Sequence, residues 1–113
     1  MGLDQYIYKN SKNQNNNSKT IAEEFHSWRK NNQIQGWFED NYQIDNLEEV
    51  EIDIECCEKM IKDLKSGLPL TTGFFYGNEI MDEDEVEETI KLFEEIKYDL
   101  EHNDSEYVYS CWY

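Results

Sequence analysis

The chain has 113 residues, a length that suits one domain with a single core. Hydrophobic residues make up 38% and aromatics 14%, enough to exclude general disorder. The formal net charge of −16 lies far beyond the magnitude of about 2–8 that keeps a small domain soluble.

The charge is also uneven. Residues 1–38 hold five basic side chains against three acidic ones, net +2, whereas residues 39–113 hold five lysines against 23 acids, net −18. Such asymmetry points to a charged partner. Its sign argues against direct contact with nucleic acid or an anionic membrane and favours a basic protein surface. The opening "MGLDQYIY" has no basic segment followed by an apolar run, and no later stretch is long and apolar enough to span a bilayer. Tyr6 stands where an N-myristoylation motif calls for Ser or Thr.

In chain order, polar and apolar residues alternate over residues 2–8, which predicts an opening strand. The Asn-rich tract at 10–19 offers nothing to bury and reads as a solvated loop. Thr20 can cap a helix in "TIAEEFHSWRKNN", with Glu23 at the capping-box position and Ile21, Phe25 and Trp28 on one face. Ile34, Trp37 and Phe38 continue that helix with a kink at Gly36 or start a second one, and Trp28 and Trp37 are expected in or beside the core.

"VEIDI" at 50–54 alternates as a short strand. Asp53 then caps a helix with Ile54, Cys57, Ile61 and Leu64 on its buried stripe, Cys56 nearer the edge, and Gly67 as its stop. "LPLTTGFFYGN" at 68–78 reads as a short strand between turns. A long helix follows from about Asp82 to His102, burying Val86, Ile90, Phe93, Ile96 and Leu100, and "SEYVYSCWY" closes the chain as a strand. On that strand Tyr107, Tyr109, Cys111 and Tyr113 share one face and Val108 and Trp112 the other, with the tyrosine hydroxyls expected to stay wet. The sum is a single α+β domain over 1–113, a small antiparallel sheet of about three strands against about three to four helices.

No cofactor or metal site is expected. Cys56, Cys57 and Cys111 are an odd set with no CxxC spacing and are read as reduced, which fits the cytosol. Asp82 and Asp84 have calcium-loop spacing, but Val86 and Glu87 stand where such a loop needs an oxygen ligand and a glycine. Only His26 and His102 offer a near-neutral base, and a Cys111–His102 nucleophilic set has no support from spacing.

The strongest signal is "MDEDEVEETIKLF", which carries six carboxylates in seven positions from Asp82 to Glu88. On a helix that is one charge per roughly 1.75 Å, close to the about 1.7 Å of duplex DNA. The match is local, because Lys91 and Lys97 interrupt the acids farther on. Asp82, Glu83 and Asp84 suit the positive end of the helix dipole, and Glu87 to Lys91 is an i, i+4 pair. These roles leave the other carboxylates without a local explanation.

"MGLDQYIY", "WRKNNQIQGWF", "GFFYG" and "YVYSCWY" together resemble small proteins from bacterial phages and prophages. Those proteins begin with Met-Gly-Leu-Asp plus an aromatic residue and end in an aromatic strand. The resemblance implies a phage or prophage origin and action in the host bacterial cytoplasm, and it transfers no functional residue. In size and acidity the chain is similar to phage inhibitors of host defence nucleases, of the anti-CRISPR and anti-restriction kinds. The leading expectation is a non-enzymatic nucleic-acid mimic whose partner is a basic host protein such as a CRISPR effector or restriction enzyme. Its contact residues would be Asp82, Glu83, Asp84, Glu85, Glu87 and Glu88, supported by Glu48, Glu49, Glu51 and Asp53. The alternative is a phage structural or assembly adaptor that binds through its aromatic strand, with Tyr109 or Tyr113 as exposed anchors.

Overall fold

The computed structural model describes residues 2–12, 20–45, 48–68, 80–103 and 105–112. The elements run β1 (Asp4–Lys12), β2 (Thr20–Arg29), α1 (Asn32–Tyr42), β3 (Glu49–Ile52), α2 (Ile54–Ser66), α3 (Glu83–His102) and β4 (Ser105–Trp112). The four strands form one antiparallel sheet in the order β2-β1-β4-β3. The fold is therefore α+β as expected, with four strands and three helices among the described residues.

The extra strand is the segment expected to be the first helix. Thr20–Arg29 pairs with β1 throughout, so Thr20 caps nothing and Glu23 lies across from Lys9 instead of closing a capping box. A register shift opposite Ile7 and Tyr8 leaves Phe25 as an extra residue between Glu24 and His26. An extra residue of this kind kinks the strand and re-aims its side chain. Phe25 and Trp28 consequently both pack against the core, a spacing of three that a regular strand would send to opposite faces. β1 also runs farther than expected, through Asn10, Ser11 and Lys12. The rest of the Asn-rich tract, residues 13–19, and the expected strand at 68–78 fall outside the described residues except for Leu68.

The sheet's inner face carries Gln5 and Ile7 from β1, Leu3 just before it, and Tyr107, Tyr109 and Cys111 from β4, all buried. Against it pack Ile34, Trp37 and Phe38 of α1, Cys56, Cys57, Met60 and Leu64 of α2, and Phe93 and Ile96 of α3. Trp37 is buried and Trp28 half-buried, as expected. Cys56 is as fully buried as Cys57, so the stripe of α2 is rotated toward it and leaves Ile54 and Ile61 only half-buried. Val86, Ile90 and Leu100 flank the buried residues of α3 on the expected face.

The helix ends follow from local chemistry. Asp53 accepts a hydrogen bond from the Cys56 N–H at 2.7 Å, and Asp82 accepts one from the Glu85 N–H at 2.8 Å, each satisfying a donor that the first turn leaves free. Gly67 ends α2 at φ 98°, a conformation that a side chain disfavours. Gln43 ends α1 in the left-handed region at φ 54°.

The inner face is polar at its centre. Gln5 donates to Tyr109 Oη at 2.9 Å and to the Asn31 carbonyl at 3.0 Å, while its Oε1 accepts from the Asn31 N–H at 2.8 Å. Tyr109 in turn donates to Gln35 Oε1 at 2.6 Å, and Gln35 donates to Glu39 at 3.0 Å. Phe38 stacks on the Tyr109 ring at 3.8 Å between centroids. Among the described residues no buried side-chain N or O lacks a partner. A network satisfied in this way specifies one arrangement of β1, β4 and α1.

Candidate functional site

The acidic helix α3 is positioned by its buried stripe. Thr89, Phe93 and Ile96 face the core, so the opposite side is left to solvent. Its exposed positions are Glu83, Asp84, Glu85, Glu87, Glu88, Lys91, Glu94, Glu95, Tyr98, Glu101 and His102, eight of them carboxylates. Lys97, expected to interrupt the acids, is half-buried and lines a groove with Glu58, Ile61, Lys62, Lys65, Glu94, Tyr98 and Glu101 between α2 and α3. Lys91, Tyr98 and His102 are the exposed positions of α3 that are not carboxylates, and Lys91 is the exposed lysine among them. Glu87 and Lys91 form no ion pair, so both remain in water.

The 20 residues of α3 rise over roughly 30 Å, which gives one exposed carboxylate per about 3.8 Å. One strand of a duplex carries one phosphate per about 3.4 Å of helix axis. The resemblance to duplex density holds for the first turns, and the match along the whole helix is to a single strand. Glu94, Glu95 and Glu101 belong to this row and were not in the expected set. Their positions on the helical wheel, Glu94 and Glu101 in line with Glu83 and Glu87 and Glu95 in line with Asp84 and Glu88, were the signal that could have found them.

The second group of expected residues lies elsewhere. Glu48, Glu49, Glu51 and Asp53 are all exposed. α2 and α3 run antiparallel, so Asp53 and Glu51 share a cleft with Leu100 at the far end of α3 from Glu88. Twelve residues of helix, roughly 18 Å, separate Glu88 from Leu100. Two of the ten carboxylates are helix caps, Asp53 and Asp82, and Glu48 accepts the Asp45 N–H at 2.7 Å to close a turn. Glu49 and Glu51 project from β3 on the sheet face away from the core.

The aromatic strand does not present the anchors expected of it. Tyr109 is fully buried, with its hydroxyl bonded to two glutamines instead of water, and burial raises its pKa well above that of a free phenol. Tyr107 is likewise buried and donates to Asp99 at 2.5 Å. The exposed aromatic of this strand is Trp112, on the other face. Tyr113 lies outside the described residues.

Asp99 organises the base of the sheet. Burial pushes its carboxyl up, but hydrogen bonds from Tyr107, Lys9 and Asn103 and the charge of Lys9 outweigh this and hold it at about 2. Lys9 Nζ sits 3.0 Å from its Oδ2. His26, expected on a helix, lies on β2 with its ring 4.5 Å from that of Trp28. Burial lowers its pKa, and Glu88 and Glu24 oppose the shift.

Cys56, Cys57 and Cys111 are free thiols and buried. Burial pushes Cys56 up to about 11 and Cys57 to about 12, so neither is ionised near neutrality. His102 is exposed at the end of α3 beside Tyr98, whereas Cys111 is buried six residues along β4 from Ser105, a separation of roughly 20 Å. The two do not form a nucleophilic pair. No group of three or more metal-ligating side chains occurs among the described residues, and none of their helices is long and apolar enough to cross a membrane.

No protein-family model matches the chain, nor does any curated protein or any solved structure.

Proposed function

We propose that this protein is a phage- or prophage-encoded, non-enzymatic inhibitor that binds a basic nucleic-acid-binding protein of the host cytoplasm. Its target class would be a CRISPR effector or a restriction enzyme. The observation that carries the reading is the set of eight exposed carboxylates along α3, whose charge per length of axis is close to that of one strand of a duplex. Set on a helix held by the core, the backbone of the row is already ordered, so docking it into a groove of Lys and Arg side chains has only side-chain entropy to overcome. Competition is the mechanism: the carboxylates occupy cation positions that phosphates would take. The group near Asp53 lies beside Leu100, at the end of α3 opposite the Asp82–Glu88 cluster, and acts as a secondary contact.

The test is affinity capture from host lysate with the parent and with a variant carrying Glu83→Gln, Asp84→Asn, Glu87→Gln and Glu88→Gln. The parent is expected to retain a basic nucleic-acid-binding protein that moderate salt or added oligonucleotide releases, while the variant loses it. Capture of the same protein by both with equal salt resistance would overturn the reading.

A further inference from the structure

The three helices all pack on one side of the sheet, and among the described residues no element covers the other side. That outer face is formed by the residues that alternate with the core positions. The register places Asp4 between Trp112 and Arg29, Tyr6 beside Ser110 with Glu49 one strand beyond, and Tyr8 between Glu24 on one side and Val108, with Glu51 beyond it, on the other. Tyr6 and Tyr8 stack at 5.7 Å between centroids, and Trp112 is 61% exposed. Glu24, Glu49 and Glu51 are exposed around them. Burial raises the Tyr8 phenol first, with further rises from Tyr6, Glu24 and Glu49.

One exposed ring, Trp112, and two half-exposed ones, Tyr6 and Tyr8, on a face where carboxylates outnumber the single Arg29, favour one chemistry. A guanidinium can lie flat on a ring and pair with a flanking carboxylate at the same time, which a compact ammonium does less well. The rows of Trp112, Tyr6 and Tyr8 follow one another at two-residue steps, about 6.8 Å. That is also the spacing of same-side residues in an extended peptide.

We propose that the outer sheet face is a second docking surface, which takes an extended protein segment with arginine at alternate positions across Trp112, Tyr6 and Tyr8. This surface is independent of α3, which lies on the other side of the sheet, and neither proposal requires the other. It also differs from α3 in kind: the α3 row attracts any cation, whereas the outer face selects arginine over lysine.

The test uses the full chain, isotope-labelled for NMR, titrated with the peptides Arg-Ser-Arg-Ser-Arg-Ser-Arg and Lys-Ser-Lys-Ser-Lys-Ser-Lys. The arginine peptide is expected to shift the Trp112 indole N–H and the amides of β1 and β4 and to bind several-fold more tightly than the lysine peptide. Trp112→Ala should weaken it about tenfold, and Glu49→Gln with Glu51→Gln should weaken it as well. Glu83→Gln with Glu87→Gln should change it by less than about twofold. Trp112 is exposed, so its replacement leaves the folded spectrum in place as an internal control. Absence of binding, shifts confined to α3, or equal binding of both peptides with no effect of Trp112→Ala would overturn the proposal.

Discussion

The two faces of the sheet carry the same residue types under opposite conditions. On the inner face Tyr107 and Tyr109 are buried and each hydroxyl has a fixed partner, Asp99 for one and Gln5 with Gln35 for the other. On the outer face Tyr6 and Tyr8 are half-exposed and Trp112 is open to solvent. A buried hydroxyl is bound to stability, because removing its partner strands a polar atom in the interior. An outer ring is free to serve binding, because its loss costs the fold almost nothing. The comparison predicts that substitutions on the inner face change stability and those on the outer face change only association.

The sharpest way to break that division is Tyr109→Phe. It keeps the ring stacked on Phe38 but leaves Gln5 and Gln35 facing each other without the hydroxyl. A loss of about 1–3 kcal/mol is expected, read from denaturant midpoints. An unchanged midpoint would show that the glutamines find other partners.

Asp99 gives a smaller effect that depends on pH. Its folded pKa of about 2 lies below the 3.8 of the free side chain, so the folded state favours the carboxylate. The stabilisation is complete above 3.8 and is lost as pH falls through about 2. Asp99→Asn should cost about 1–2 kcal/mol at neutral pH. The gap between variant and parent should close on acidification through that window. A gap that is constant with pH would mean that Lys9 and Tyr107 hold the neutral side chain equally well.

Trp112→Ala is the smallest expected change, within about 0.5 kcal/mol of the parent. Melting both proteins side by side checks it. A loss comparable to that of Tyr109→Phe would show that the outer face contributes to the fold and would erase the division between the two faces.

Where local pattern and tertiary structure agree, the agreement has a local cause. α3 repeats its apolar spacing over about four turns, and α2 has a capping Asp and a terminating Gly, so each is over-determined by its own residues. β2 shows the reverse. Ile21, Phe25 and Trp28 fit a helical face over barely two turns, too short a run to establish a helix without packing. β1 supplied a strand partner, and the kink at Phe25 let the same spacing face the core. The acidic row was half-legible: Asp82 to Glu88 is contiguous in sequence, but its continuation through Glu94, Glu95 and Glu101 depended on knowing that Lys97 turns toward α2.

The sequence by itself determined the α+β class, the cap at Asp53, the stop at Gly67, the buried stripe of α3 and the alternation of β4. All of these depend on residues within a turn or a strand of one another. Only the tertiary structure decided that Thr20–Arg29 is a strand, that Cys56 is core, that the Tyr109 hydroxyl is enclosed by Gln5 and Gln35, and that the two acidic groups lie at opposite ends of α3. Each of these depends on contacts between residues distant in the chain, where backbone pairing and side-chain satisfaction override local preference.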